Sequence, residues 1–267
     1  NEETVSRRRL KTKAPGEIFD LRDALDAMPN ADVEERSEVF GASAGQVAME
    51  VAGTVKMACG DKKAAARVAL LDPELTLSQP SNVTAVTAID AISHAVESYV
   101  CKSANNISRS YALAAFQLMQ DATERITADP KNLLGRARMQ LGAAMAGTAI
   151  ENSMLGAAHS MANPLTAHFD IIHGQAVGVA LPAVIRRNSQ DAEVAALYRE
   201  LLSSQPLDAW ITTQVANQGL ATCLSDLNVS REMLHQLAKE ASTQWTAQFN
   251  PIGLTADDFE QLYQSCY

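Results

Sequence analysis

The tract that follows Pro80 constrains this chain more than any other feature. Val83, Val86, Ile89, Ala95, Val96 and Tyr99 recur at helical rather than alternating intervals, with Ser81 available to cap the first turn. The same reasoning predicts helices over 108–126, closed by Pro130, and over 134–150, where Gly142, Ala143, Ala144, Ala146 and Gly147 allow a neighbouring helix to approach closely. Further helices are expected at 174–187, 190–203, 207–226 and 230–248, and 251–253 breaks the pattern before a terminal helix that starts near Ala256. Composition agrees, because aromatic residues are only 5% of the 267 while alanine is abundant, which favours packed helices over a sandwich or barrel.

Ahead of Pro80 the pattern changes. Residues 1–36 are charged and weakly periodic, with one amphipathic segment around Ile18, Phe19, Leu21, Leu25 and Met28. The stretch 39–59 mixes Gly41, Gly45 and Gly53 with Val51, Val55 and Met57, and reads as a short helix followed by a strand. The run RVALL at 67–71 has apolar residues on both faces and is stopped by Asp72 and Pro73, as in a buried strand ending in a turn. Two units are therefore expected: a partial α/β part over 1–80 and an all-helical part over 81–267.

Charge and polarity narrow the function classes. Acidic residues outnumber basic ones 31 to 22, a net charge of -9, which argues against a broad face for nucleic acid. The one basic cluster, Arg7, Arg8, Arg9, Lys11 and Lys13, reads as a solvated segment. No apolar run approaches the roughly 18 residues of a membrane helix, and the charged N-terminal residues lack the apolar centre of a signal peptide. A soluble cytoplasmic protein with no nucleic-acid or membrane partner is expected, its dispersed Cys59, Cys101, Cys223 and Cys266 being free thiols.

Histidine is scarce, and four of the five lie between residues 94 and 173. Asp90 and His94, four apart on a helix, project from one face and could bind one ion, although an exposed pair has the same spacing. His159 lies in a segment of small residues, and His173 precedes Gly174 at an expected helix start. Together they would form an Asp plus three-His set, which suits Fe(II) or Zn(II) rather than the oxygen-seeking Mg or Ca. One carboxylate leaves such a site with a charge of about +1, enough to polarise an alcohol or carbonyl oxygen. Spacing alone does not bring the four together.

The segments DPELTLSQP (72–80), TAIDAISHAVESY (87–99), GAAHSMANPL (156–165), IHGQA (172–176) and Leu181-Pro182 come in the order and spacing of the iron-containing (group III) alcohol dehydrogenases. The chain resembles that family from about Val55 to its end, including Asn250-Pro251 ahead of an acidic helix start. The resemblance implies a dehydroquinate synthase-like fold, in which an α/β N-terminal part precedes an all-α C-terminal domain and a catalytic metal lies between them. It carries the metal ligands over to Asp90, His94, His159 and His173, with hydride passing between the alcohol carbon and NAD or NADP. It also implies an alcohol or aldehyde substrate and a homodimer, and it matches Lys56 to a lysine near the cofactor.

Two departures stand out. Where many members carry a further histidine four residues after the third ligand, this sequence has Asn163, which cannot relay a proton; His168 would be the catalytic substitute if it faced the cleft. The family's GGGS phosphate loop and TTxGTGSE segment have no counterpart here, and 41–45 is a weak glycine-rich stretch, so the N-terminal nucleotide domain reads as incomplete. The alternative function is accordingly a helical metal-binding or oligomerisation module without redox activity. Relatives acting on phosphorylated substrates would need a basic cluster by the metal, and 156–176 holds no Lys or Arg. Met154, Leu155, Met161 and Phe169 would suit a small aliphatic substrate.

Overall fold

A computed structural model describes the backbone of Gln46–Val51 and Val55–Gly60 and all of residues 68–267. The amphipathic segment at 18–28, the basic cluster at 7–13 and the glycines at 41, 45 and 53 lie outside the described residues. β1 (Gln46–Val51) and β2 (Val55–Gly60) form an antiparallel hairpin in the register Gln46 to Gly60 and Val51 to Val55. The strand expected at the end of 39–59 is present as β2, residues 46–51 are also strand, and 39–45 lie outside the described residues.

The largest correction concerns 67–71. Residues 68–72 adopt no regular structure, and Val68 and Leu70 are 75% and 88% exposed. A strand that is apolar on both faces needs neighbours on both faces, and among the described residues none pairs with this run. It leads instead into a single 3-10 turn, Pro73–Thr76, whose first amide is bound by the Asp72 side chain at 3.0 Å.

The helical part is built around α1 (Ser81–Val100). Pro80 occupies its N-cap, so Ser81 is the first helical residue and makes no cap. α1 is buried almost all round: beyond Asn82 every residue but Thr87, Asp90 and His94 is buried. On one side it packs against α2 (Asn106–Ala128) and α3 (Leu133–Glu151), which lie close because Gly142 of α3 faces Met119 of α2. Further along the chain come α4 (Ala157–Phe169) and α5 (His173–Asn188), which pack on each other while α5 also lies against α1. Ile89, Ile92, Phe116, Met119, Leu165 and Leu181 form the centre of the core. α6 (Ala192–Leu201), α7 (Leu207–Asn217), α8 (Leu234–Thr243) and α9 (Ala256–Ser265) complete the described part.

Helix α4 is absent from the sequence expectations, because Pro164 and a run of small residues mask its period. It persists through its packing: Ala157, Ala158, Met161, Ala162 and Leu165 are buried, and the Tyr263 hydroxyl of α9 donates to the Met161 carbonyl in the turn before the proline. The expected helix at 207–226 stops at Asn217, because Gly219, at φ 73°, turns the chain while the Gly219 and Leu220 amides close back on Ala216 and Val215. The expected helix at 230–248 becomes a 3-10 turn, α8 and a second 3-10 turn.

One contact fixes α5 against α1. A Cβ on Gly174 would overlap the Val86 carbonyl of α1, backbone against backbone, whereas one on Gly253 would meet nothing within 4 Å. Gly174→Ala is expected to destabilise the protein by about 1–3 kcal/mol and Gly253→Ala to change little, read by chemical unfolding. Equal stability of the two variants would show that α5 can slide off α1 freely.

Candidate metal centre

Two of the candidate ligands and one further group come from α1. Asp90, His94 and Glu97 are spaced four and three residues apart, so they line one face over two turns of a helix whose other positions carry only apolar and small uncharged side chains besides Asn82 and Tyr99. His159 comes from the first turn of α4, and His173 is the first residue of α5. Between them Asp170 takes a left-handed conformation, φ 54°, which ends α4 and turns the chain back toward α1.

The three imidazoles converge on one oxygen. Asp90 Oδ1 lies 3.4 Å from His94 Nε2, 3.4 Å from His159 Nε2 and 3.8 Å from His173 Nε2. These separations are longer than an N–H···O hydrogen bond. They match the spacing of neighbouring ligands in a tetrahedral shell, about 3.4 Å when metal–ligand bonds are about 2.1 Å. Asp90 Oδ1 and His159 Nε2 are buried with no hydrogen-bond partner among the described residues, a costly arrangement that a shared cation would relieve. Ligand atoms of Asp90, His159 and His173 all lie within 4.8 Å of one another. His94 meets Asp90 but stacks its ring on that of His159, with centroids 4.9 Å apart and planes at 25°, and stands outside this mutual group.

Electrostatics follow from the geometry. Burial alone would raise the Asp90 pKa, but His94, His159 and His173 around it hold the carboxyl well below the usual carboxylate range. Burial alone would lower the His159 pKa; the flanking Asp90 and Glu97 carboxylates outweigh it and raise the group to about 9.

Glu97 is the residue that sequence reasoning missed. It is 3% exposed, and its Oε2 lies 2.6 Å from His159 Nδ1. The signal was available, since Asp90 and Glu97 are the only charged residues in α1 and share a face with His94.

The other candidates lie elsewhere. His168 is in the last turn of α4, nine residues from His159 and so about 13 Å along the axis. Its Nε2 pairs with Glu240 of α8 at 2.8 Å, and the fold does not bring it to the three-residue group. Asn163 donates to Gln244 at 3.1 Å. Lys56 pairs in register with Glu50, and its strand β2 runs beside α4. Met161 is fully buried in the core, so it cannot line a substrate pocket, while Met154, Leu155 and Phe169 are half-buried. Among the described residues no helix is long and apolar enough to cross a membrane.

Residues 84–267 match the C-terminal part of the Fe-containing alcohol dehydrogenase family. The chain is 29% identical over 231 residues to the NAD-dependent methanol dehydrogenase of Bacillus methanolicus, a match covering 82% of this chain and 61% of the relative. It is 33% identical to the 1,3-propanediol dehydrogenase of Klebsiella pneumoniae over 75% of this chain and 55% of the relative. The solved sulfoacetaldehyde reductase of Bifidobacterium kashiwanohense, in complex with NAD+, superposes with a TM-score of 0.72 at 28% identity, over 79% of this chain and 57% of that one. The chain thus spans little more than half the length of these relatives.

The raised His159 pKa gives a pH prediction for metal-free protein. Stabilisation from holding the imidazolium between two carboxylates is complete below the ordinary histidine value of 6.5 and is lost as pH rises through about 9. Thermal scans are expected to show the melting temperature falling across that window. The fall should be absent in His159→Gln and in zinc-loaded protein, where the ring is already neutral; a pH-independent melting temperature in the metal-free parent would contradict the assignment.

Proposed function

Because this chain belongs to the iron-containing alcohol dehydrogenase family, we propose that it is part of a metal-dependent, NAD(P)-linked oxidoreductase that interconverts an alcohol and its aldehyde or ketone. The observation that carries this reading is the convergence of three imidazole nitrogens on one buried Asp90 oxygen. Asp90, His94, His159 and His173 would hold Fe(II) or Zn(II), for which one carboxylate and three neutral imidazoles are a suitable donor set. When bound, the metal would supply a positive charge that polarises the substrate oxygen.

This chain's own residues do the rest by positioning. Asp90 enters as a carboxylate, because the imidazoles around it keep it ionised. Glu97 holds His159 from behind, and the fixed N-terminus of α5 presents His173 beside it. Asn163 and His168 are each engaged with another side chain, Gln244 and Glu240, so neither is assigned a proton-transfer role. Nicotinamide is proposed as the hydride partner because no side chain can exchange hydride and because the Bacillus methanolicus relative is NAD-dependent. Lys56 is proposed to meet it from β2. A homodimer is proposed on family resemblance.

The second reading is a helical metal-binding module without redox activity, for which the group of Asp90, His159 and His173 suffices without nicotinamide. Titrating metal-loaded protein with NADH and NADPH, followed by reduced-nicotinamide fluorescence, separates the two. Saturable micromolar binding is expected for the dehydrogenase, and none for the module. Asp90→Ala and His173→Ala are each expected to abolish both metal retention and any alcohol turnover; full turnover without bound metal would refute the proposal.

A further inference from the structure

Glu97 is a buried carboxylate with no lysine or arginine within ion-pair distance among the described residues. Such a group is tolerated only if its lone pairs are filled. Here Oε1 accepts from the Ala158 amide at 2.7 Å, and Oε2 from the Gly156 amide at 3.1 Å and from His159 Nδ1 at 2.6 Å. Both amides belong to the start of α4, where unpaired N–H groups and the helix dipole favour an anion. Gly156 eases the approach, since a Cβ there would lie 3.0 Å from Glu97 Oε1, closer than an ordinary van der Waals contact. The carboxylate is therefore clamped by the backbone of the same helix that carries His159, and neither it nor the ring can turn independently.

We infer that Glu97 is a positioning residue which fixes the tautomer of His159, keeping a proton on Nδ1 and turning the Nε2 lone pair toward Asp90 and the metal. An ionised carboxylate is acceptor-only, so the nitrogen 2.6 Å from it must be the donor. Nε2, buried and without a hydrogen-bond partner, is then left for the ion. Asn250 supplies a natural control. Its Oδ1 accepts from the Ala157 amide at 3.3 Å, capping the same helix end, and its amide pairs reciprocally with Asn188 without touching His159. The inference rests on the metal reading above, but not on any redox activity.

The test uses the whole 267-residue chain and zinc or cobalt(II) affinity measured by competition with a chromophoric chelator. In Glu97→Gln, an amide cannot accept from both Nδ1 and the two backbone N–H groups, so the metal-facing nitrogen of His159 becomes protonated in part of the population. A loss of about 10–100-fold in affinity is expected, with weakened cobalt(II) visible absorption. Asn250→Ala should lower thermal stability with far less effect on affinity. Equal affinity losses in the two variants would reduce Glu97 to a helix cap, and parent-like affinity in Glu97→Gln would also overturn the inference; both leave the metal reading intact. No zinc binding by the parent protein would overturn the metal reading itself, and this inference with it. Should Glu97→Gln fail to fold, nitrogen-15 NMR of zinc-loaded parent decides: Nδ1 protonated and Nε2 metal-bound is expected, and the reverse refutes it.

Discussion

A helix buried nearly all round carries two carboxylates, and the helices against it are arranged to satisfy them. α1 is covered on nearly every side, so the buried Glu97 carboxylate and the enclosed Oδ1 of half-buried Asp90 would be costly if left without partners. α4 and α5 approach that face at their N-termini, the ends that carry unpaired N–H groups and positive dipole. The orientation of two helices is thereby tied to the charge of a third.

The two carboxylates are satisfied differently, and the difference makes the site. Glu97 is met entirely by protein donors, two amides and one imidazole nitrogen. Asp90 Oδ1 is ringed by imidazole nitrogens at 3.4 to 3.8 Å, too far for good hydrogen bonds and lacking a hydrogen-bond partner among the described residues. A closed carboxylate orients a ligand, and an open one is a ligand. His159 stands between them, one nitrogen turned to each, and the two flanking carboxylates together raise its pKa.

Proline and glycine contribute where approach matters more than propensity. Gly156 admits the Glu97 carboxylate, and Gly174 lets α5 reach the backbone of α1 one residue from His173. Pro164 interrupts the hydrogen-bond ladder of α4 without ending it, because the helix is held by buried neighbours on α5, α8 and α9.

Periodicity and punctuation in the amino-acid order were enough to locate α1, α2, α3, α5 and α9, since each is long or well bounded and its apolar positions repeat at helical spacing. The ligand residue types were equally legible: a carboxylate and a histidine four apart must share a face, whatever surrounds them. Local order did not reveal α4, whose small residues and proline carry no clear period, nor the role of Glu97, whose hydrogen-bond donors lie about 60 residues further along the chain. The run at 67–71 shows the same limit from the other side, because a strand exists only when partners supply its hydrogen bonds and cover its faces. His159 was expected as a metal ligand, and His168 as a catalytic substitute only if it faced the cleft. Packing alone sends one to Glu240 and the other to Asp90, because nine residues of helix separate their side chains by more than the width of the site.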